Sequence, residues 1–464
     1  TKITSDSSVK TFLNAEFPAD TFTQSAGVSS QITENTFAKL NIKGTYAQNK
    51  YQFKNFFGKT KTRQNAEVKD LHADAKVSHF FGNGSSFTIG EMFYQGDKNC
   101  PGEITGAHKG NQKDLDSAFT ANLFNPQLLD KFTVENNAAW LFTRRLYDEG
   151  PSHSEHIINT FKYAGYASAD FTSWYSQSFG LTSDTVFLDS TDDGQHVQPS
   201  FCIKGTSKFF PARHITLTLP MAVKICGENS AFVPKAGIKF SFETAEFMLD
   251  AYRMIQFPNM DDLYWNGAGA KGNPDLKTED GWGGEVTFTL KKYLPFTVSV
   301  FSNYYRNKIQ WASSSGILMP RNLASAFYLG FDLRTELSFF DGHFKISANC
   351  ECLYTELLDK SKPESYGNRI MWTPDWTAAA SASLIAGDFD LRAEWNYMGR
   401  RYTDNTNVTY LEPYSLINFC VSYTGSAHFT PYLRADNILD TEYEAVPSYP
   451  MPGISLTLGL RIIM

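Results

Sequence analysis

Gly267-Ala-Gly-Ala-Lys-Gly272 has the G-x-G-x-x-G spacing of a phosphate cradle. That chemistry needs a strand before the glycines and a helix N-terminus after them. Here Asn273-Pro274 follows within a long polar stretch, so the motif reads as loop. His153-Ser-Glu-His156 places two imidazoles close in sequence, as a metal site would. In a loop, the plainer reading of that tetrapeptide is a solvated polar turn. Asp97, Glu103, Asp114 and Asp116 flank one connection and offer the oxygen ligands a structural Ca²⁺ takes, against a reading of ordinary loop acidity. No Ser-His-Asp arrangement or nucleophile elbow stands out, so neither covalent catalysis nor any other cofactor is expected.

The six cysteines, Cys100, Cys202, Cys226, Cys350, Cys352 and Cys420, lack metal-type spacing and read as packing residues. A Cys202–Cys226 bridge between neighbouring strands is conceivable, but their offset from the intervening turn opposes it. A net charge of −7 argues against nucleic acid as a partner.

The elements that must carry these residues are strands. In the last stretch, Gly453 to Met464, Leu456, Leu458, Leu460, Ile462 and Met464 share one face of an extended chain. Ser455, Thr457, Gly459 and Arg461 share the other, with Ile463 the one break. The same period of two recurs in Ile238/Phe240/Phe242, Val286/Phe288/Leu290, Leu329/Phe331/Leu333 and Phe389/Leu391/Ala393/Trp395/Tyr397. Strands are predicted to start near Val9, Thr21, Phe37, Asp70, Ser85, Leu115, Phe132, His156, Trp174, Pro199 and His214. Others start near Lys235, Ala245, Trp282, Phe296, Ala326, Phe344, Met371, Phe389, Tyr414, Phe429 and Gly453.

A soluble sandwich alternates too, but two features favour a closed wall in lipid. The polar rows carry mixed charge (Arg334, Glu336, Arg392, Glu394, Arg434, Asp436, Arg461), as a wet or plugged lumen requires. Connections also alternate in length. Short ones are expected at 33–36, 82–85, 210–213, 340–343, 386–388 and 425–428. Long ones are expected at 48–69, 95–114, 184–197, 256–281, 311–325, 356–369 and 403–412. The first connection, at 18–20, is short where a long one is due. The fold class read from this is all-β: one transmembrane antiparallel barrel of about 22 strands, with long outer loops and short periplasmic turns, in the plugged size class.

Composition agrees. Aromatics make up 15% of the 464 residues and charged residues 20%, which suits aromatic girdles at two interfaces. No apolar run reaches the ~18–20 residues of a membrane helix. Thr1-Lys-Ile-Thr-Ser reads as a mature or trimmed start.

From Phe257 onward the chain resembles the TonB-dependent outer-membrane receptors. Phe257-Pro-Asn-Met-Asp-Asp-Leu-Tyr264 followed by Gly272-Asn-Pro-Asp-Leu-Lys-Thr-Glu279 is similar to one family segment, with Thr278 where Pro is usual. Tyr304-Tyr-Arg-Asn-Lys-Ile309, Gly330-Phe-Asp-Leu-Arg-Thr-Glu336, Tyr397-Met-Gly-Arg-Arg-Tyr402 and Asn437-Ile-Leu-Asp-Thr-Glu-Tyr-Glu444 follow in the family's order. The N-terminal half matches only in the rhythm of strands and loops.

The resemblance implies an outer-membrane receptor that takes up a scarce, bulky nutrient, with both termini periplasmic. The modest barrel length is similar to that of members carrying cobalamin, haem or compact siderophores. The implied partners are membrane lipid, the nutrient, a plug domain and the TonB energy-coupling system. No plug or TonB-engaging segment is found, so residues 1–464 read as the barrel portion alone. Met464 stands where the family usually ends in an aromatic residue. Nutrient capture would fall to aromatics near outer loops: Phe257, Tyr264, Trp265, Trp311, Tyr402 and Tyr449. For any one of them a place in the interfacial girdle is the competing reading. The alternatives from other classes are a passive pore or surface adhesin, and a soluble β-rich carbohydrate enzyme.

Overall fold

A computed structural model describes residues 10–17, 21–104, 106, 109–267, 269–314 and 316–463. The expectations attached to Thr1, Val9, the connection 18–20, Ala268 and Met464 lie outside these residues.

The first eleven wall strands are Lys10–Phe17 (β1), Thr21–Thr33 (β2), Thr36–Ala47 (β3), Val68–Phe80 (β4), Ser86–Cys100 (β5), Gly110–Leu128 (β6), Phe132–Glu149 (β7), Ser152–Thr172 (β8), Tyr175–Ser190 (β9), Gly194–Ala212 (β10) and Ile215–Cys226 (β11). The second eleven are Asn229–Ser241 (β12), Ala245–Gln256 (β13), Glu279–Leu290 (β14), Phe296–Ser314 (β15), Ile317–Phe339 (β16), Phe344–Leu357 (β17), Trp376–Ala386 (β18), Phe389–Met398 (β19), Tyr414–Tyr423 (β20), Phe429–Asp436 (β21) and Ser455–Ile463 (β22).

Among the described residues the large sheet has 24 strands, two of which, Asn266–Gly267 and Ala270–Lys271, form a small hairpin at one rim. The other 22 form the wall. Each pairs antiparallel with its chain neighbours, and β1 pairs with β22 (Leu13 opposite Ile462, Phe17 opposite Leu458). The sheet therefore closes and leaves no edge, as a wall in lipid requires.

Alternation sets the two faces. Leu456 and Leu458 are each 59% exposed on the outward row of β22, and Leu249, Val286, Leu329, Phe419 and Leu433 continue that apolar surface. Inward rows are charged and pair locally: Arg334 with Asp332 (2.9 Å), Arg392 with Asp390 (2.8 Å) and Arg434 with Asp436 (2.8 Å). A one-residue slip would turn these charges into hydrocarbon, so the faces fix the register. Buried apolar residues are few. One small cluster, Leu323, Ala326, Leu357 and Ile370 with Tyr305 and Tyr328, lies where the connection 358–375 folds onto β16 and β17.

Each predicted strand start among the described residues falls on a different wall strand or a few residues before one. The connections expected to be short all lie at one rim, although tight turns at 150–151, 191–193 and 227–228 lie at the other. At the other rim, 48–67, 257–278, 358–375 and 399–413 are long, as expected, and 437–454 is a further long connection that the spacing did not single out. Three expected long loops are corrected. The stretch 95–114 stays paired up to Cys100 opposite Gly110, 184–197 up to Ser190 opposite Gly194, and 311–325 up to Ser314 opposite Ile317. These hairpins run on beyond the apolar band. There polar residues occupy both rows, as in Asp189-Ser190 and Gln195-His196, so the period-two signal disappears although the ladder continues.

Candidate functional site

The long-loop rim is built around the connection 257–278. Asn259 caps a short helix α1, Met260–Tyr264, by accepting from the Asp262 N–H at 2.8 Å, and the Asp262 carboxylate accepts from the Asn259 N–H at 3.1 Å. Buried Asp262 also accepts from Trp311 Nε1 at 2.9 Å, which ties α1 to β15. After the helix the chain turns back so closely that a Cβ on Gly272 would sit 2.6 Å from the backbone nitrogen of Tyr264. Only glycine fits there. The Asn266–Lys271 hairpin bonds β16 through Leu318 N–H to Gly269 O at 3.0 Å.

Two histidines on the inward rows of β8 and β10 hold this loop to strands farther along the wall. Tyr264 lies flat on His196, with centroids 3.6 Å apart and planes 7° from parallel. Trp265 lies parallel to His156 at 5.9 Å and 16°. His156 Nδ1 is 2.9 Å from Ser190 Oγ and 3.6 Å from Asp193. Asn266 donates its backbone N–H to Asp193 at 2.7 Å, and Gln198 donates to Pro258 O at 3.1 Å. Removal of water from the Asp261 carboxyl, followed by the nearby Asp193 and Asp262 charges, raises its pKa above the ordinary carboxylate value.

A second group of loops gathers where the barrel closes. Arg63 is buried, donates to Gly102 O and lies 5.8 Å over the Tyr449 ring. Tyr51 donates to Pro450 O at 2.8 Å, and Ile104 N–H to Ser448 O at 3.1 Å. Arg401 donates to the carbonyls of Glu444 and Ala445. Between the two groups, Asn405 donates to Gln310 at 2.8 Å, while Asn407 and Arg369 exchange hydrogen bonds at 2.7 and 3.0 Å. Asp404 is partly desolvated, which works against ionisation. Hydrogen bonds from Thr406, Val408 and Thr409 outweigh this and hold its carboxyl far below the ordinary range.

Of the aromatics singled out from sequence, Tyr264, Trp265 and Trp311 meet at one station, with Phe257 half-buried at the head of the same loop. Tyr402 is elsewhere, edge-on to Tyr410 at 6.3 Å, and Tyr449 belongs to the Arg63 group. The acidic quartet does not converge. Asp114 lies opposite Gly96 and Asp116 opposite Tyr94, on the inward face, whereas alternation turns Asp97 outward. Asp114 is already held by Lys98 (2.8 Å) and Arg145 (3.0 Å), Asp97 accepts from Asn111 (2.7 Å), and Glu103 is exposed in the loop beyond them. Among the described residues no group of three or more His, Cys, Asp or Glu side chains is arranged to hold a metal ion.

His153 and His156 likewise point to opposite faces of β8, His153 pairing with Asp148 at 2.6 Å. The G-x-G-x-x-G stretch follows a helix and forms a hairpin, the reverse of a phosphate cradle. All six cysteines are free: Cys226 sits opposite Ser200 and Cys202 opposite Lys224, two residues out of register. Sequence reasoning missed His196, Asp193 and Arg63, whose partners are far away in the chain and leave no local pattern. The rim thus offers flat rings and hydrogen-bonding groups on a braced frame, which suits reversible binding.

A family model described as "TonB dependent receptor-like, beta-barrel" matches residues 5–438. The vitamin B12 transporter BtuB of Photobacterium profundum is 24% identical over 198 residues, a match that takes in 41% of this chain and 31% of that protein. Among solved structures, the ferric enterobactin receptor PfeA of Pseudomonas aeruginosa (Q482A mutant) in complex with enterobactin superposes with a TM-score of 0.80 at 14% identity, covering 99% of this chain and 82% of that one. The FrpB iron transporter of Neisseria meningitidis superposes with a TM-score of 0.81 at 12% identity, with the same coverage. At these identities the structural likeness is one of fold.

Proposed function

This chain belongs to the TonB-dependent receptor β-barrel family, and from that premise we propose that it forms the wall of an outer-membrane receptor for a bulky nutrient of the cobalamin, siderophore or haem class. The braced rim at 257–278 receives the ligand, and passage through the wide lumen is coupled to TonB through a plug. Long loops then face outward and both termini face the periplasm. The step is capture and gated passage, with no covalent chemistry at the rim.

The observation that carries this reading is the rim itself. In a wall of 22 strands, wide enough to need a plug, Tyr264, Trp265 and Trp311 are brought to one inner station by contacts involving β8, β10, β15 and the turn between β9 and β10. A passive pore needs no such bracing. Equilibrium binding of cobalamin, haem and ferric siderophores to the purified chain in detergent tests capture. Planar-bilayer conductance of the full natural gene product tests gating. Saturable binding of one class with no steady current is expected. A large, steady pore that binds none of the three would overturn the reading.

A further inference from the structure

The outward face of β5–β7 carries two polar side chains inside its apolar band. On β5, Glu91 alternates outward with Ile89 and Phe93, opposite Ala75 on one side and Phe119 on the other. Ser117 Oγ donates to Glu91 Oε1, and among the described residues Oε2 has no partner. On β7, Asn136 lies outward opposite Leu123 and accepts the Tyr163 hydroxyl on Oδ1 at 2.8 Å. Its Nδ2 donates to nothing among the described residues. Both side chains are partly exposed on this face, and neither holds a buried unpartnered atom. A spare acceptor and a spare donor therefore look into lipid.

Hydrocarbon offers neither group a hydrogen bond, and ionisable side chains at such depths generally turn inward or pair. These two cannot satisfy each other within one chain. They stand two strands apart, roughly 12 Å along the wall at the strand spacing and tilt of such barrels. They do share a depth: Glu91 is five residues above the foot of β5 at Ser86, and Asn136 four above the foot of β7 at Phe132. A two-fold axis along the membrane normal, passing between them, exchanges left for right at constant depth. It sets Glu91 of each copy against Asn136 of the other. Ala121 lies between the two on β6, paired with Ile89 and Ala138, and small side chains there let two walls approach.

We propose that this face is an interface with a second copy of this chain, an isologous pair within the membrane held by Glu91–Asn136 hydrogen bonds on either side of Ala121. The pair rests on the outer-membrane placement proposed above, and on no particular nutrient.

Copies of the full natural gene product carrying donor or acceptor dyes are folded into lipid vesicles at increasing protein-to-lipid ratio, and energy transfer reports pairing. Pairing of the unaltered protein should saturate and should reverse on dilution with lipid, an arm that needs no variant to fold. E91A and N136A should each weaken it about tenfold, because each removes both symmetric contacts. The E91A/N136A double variant should weaken it no further than either alone. Copper-phenanthroline oxidation should crosslink A121C copies faster than L433C copies, with mass spectrometry reading only the peptide that joins two introduced thiols. No transfer beyond random proximity, additive effects of the two alanine substitutions, or equal crosslinking of A121C and L433C would each overturn the assignment. Heat-modified gel mobility checks that each variant has folded in the vesicles. A folded wall that stays single would remove the pair and leave the receptor reading standing.

Discussion

Tyr264 and His196 stack in van der Waals contact across the rim, joining the loop between β13 and β14 to the inward face of β10. An aromatic pair of this kind is worth about 0.5–1.5 kcal/mol beyond its area. Y264A should therefore raise hydrogen exchange of amides 263–272 by up to about tenfold, while Y264F, which keeps the ring, should leave it near the original rate. Equal exchange in all three proteins would show that the stack does not hold the loop.

Two rim carboxyls should give opposite pH responses. Asp261 is shifted up from 3.8, so its contribution to loop docking is complete below that pH and is lost as pH rises through the raised value. Asp404 is shifted down from 3.8, so its contribution is present above that pH and is lost only as pH falls through the lowered value. Between pH 4 and pH 7, intrinsic-rate-corrected protection of 257–278 should fall while that of 399–413 stays level. D261N should flatten the first profile. A level profile for the unaltered 257–278 loop would contradict the assigned shift.

Glu279 is 2% exposed and accepts from Lys308 Nζ at 3.0 and 2.9 Å and from the Ile309 N–H at 2.7 Å. K308M strands a buried carboxylate, whereas E279Q keeps an acceptor and frees a cation that still reaches solvent. Breaking a buried pair from the side that leaves a charge behind costs about 3–5 kcal/mol, discounted here because Lys308 is 26% exposed. K308M should lower the midpoint of heat-modified gel mobility more than E279Q. The reverse order would place the lost stability in the lysine's own contacts.

The wall was legible because lipid and lumen impose opposite demands on alternate residues. Leu456, Leu458 and Leu460 against Thr457 and Arg461 state both faces in one short stretch. Legibility fails where that contrast ends. Around Ser190 and Gly194 both rows are polar in sequence, so a paired hairpin looks like loop. The Tyr264 and Trp265 station was read in part, from ring type and loop position. His196, Asp193 and Arg63 act through contacts set by closure of the cylinder, and no local spacing encodes that. The acidic quartet near Asp97 misled for a related reason: residues close in sequence lie on opposite faces once the strand is formed.

The last strand offers the sharpest test of the wall, because neighbouring residues there should respond in opposite ways. Leu458 is on the outward row, opposite Phe17 of β1 and Leu433 of β21. Thr457 is on the inward row beside Arg434. A lysine facing lipid near the bilayer midplane costs about 2–4 kcal/mol, falling toward zero at the interfaces. Facing a wet lumen, it meets water and the inward carboxylates. L458K should thus lower the equilibrium yield of folded protein in lipid vesicles under urea titration, and T457K should leave it nearly unchanged. In a soluble sandwich the penalty would be similar in detergent-free buffer, where a lipid-embedded wall yields no folded protein. Equal tolerance of the two lysines would mean that hydrocarbon does not contact this face.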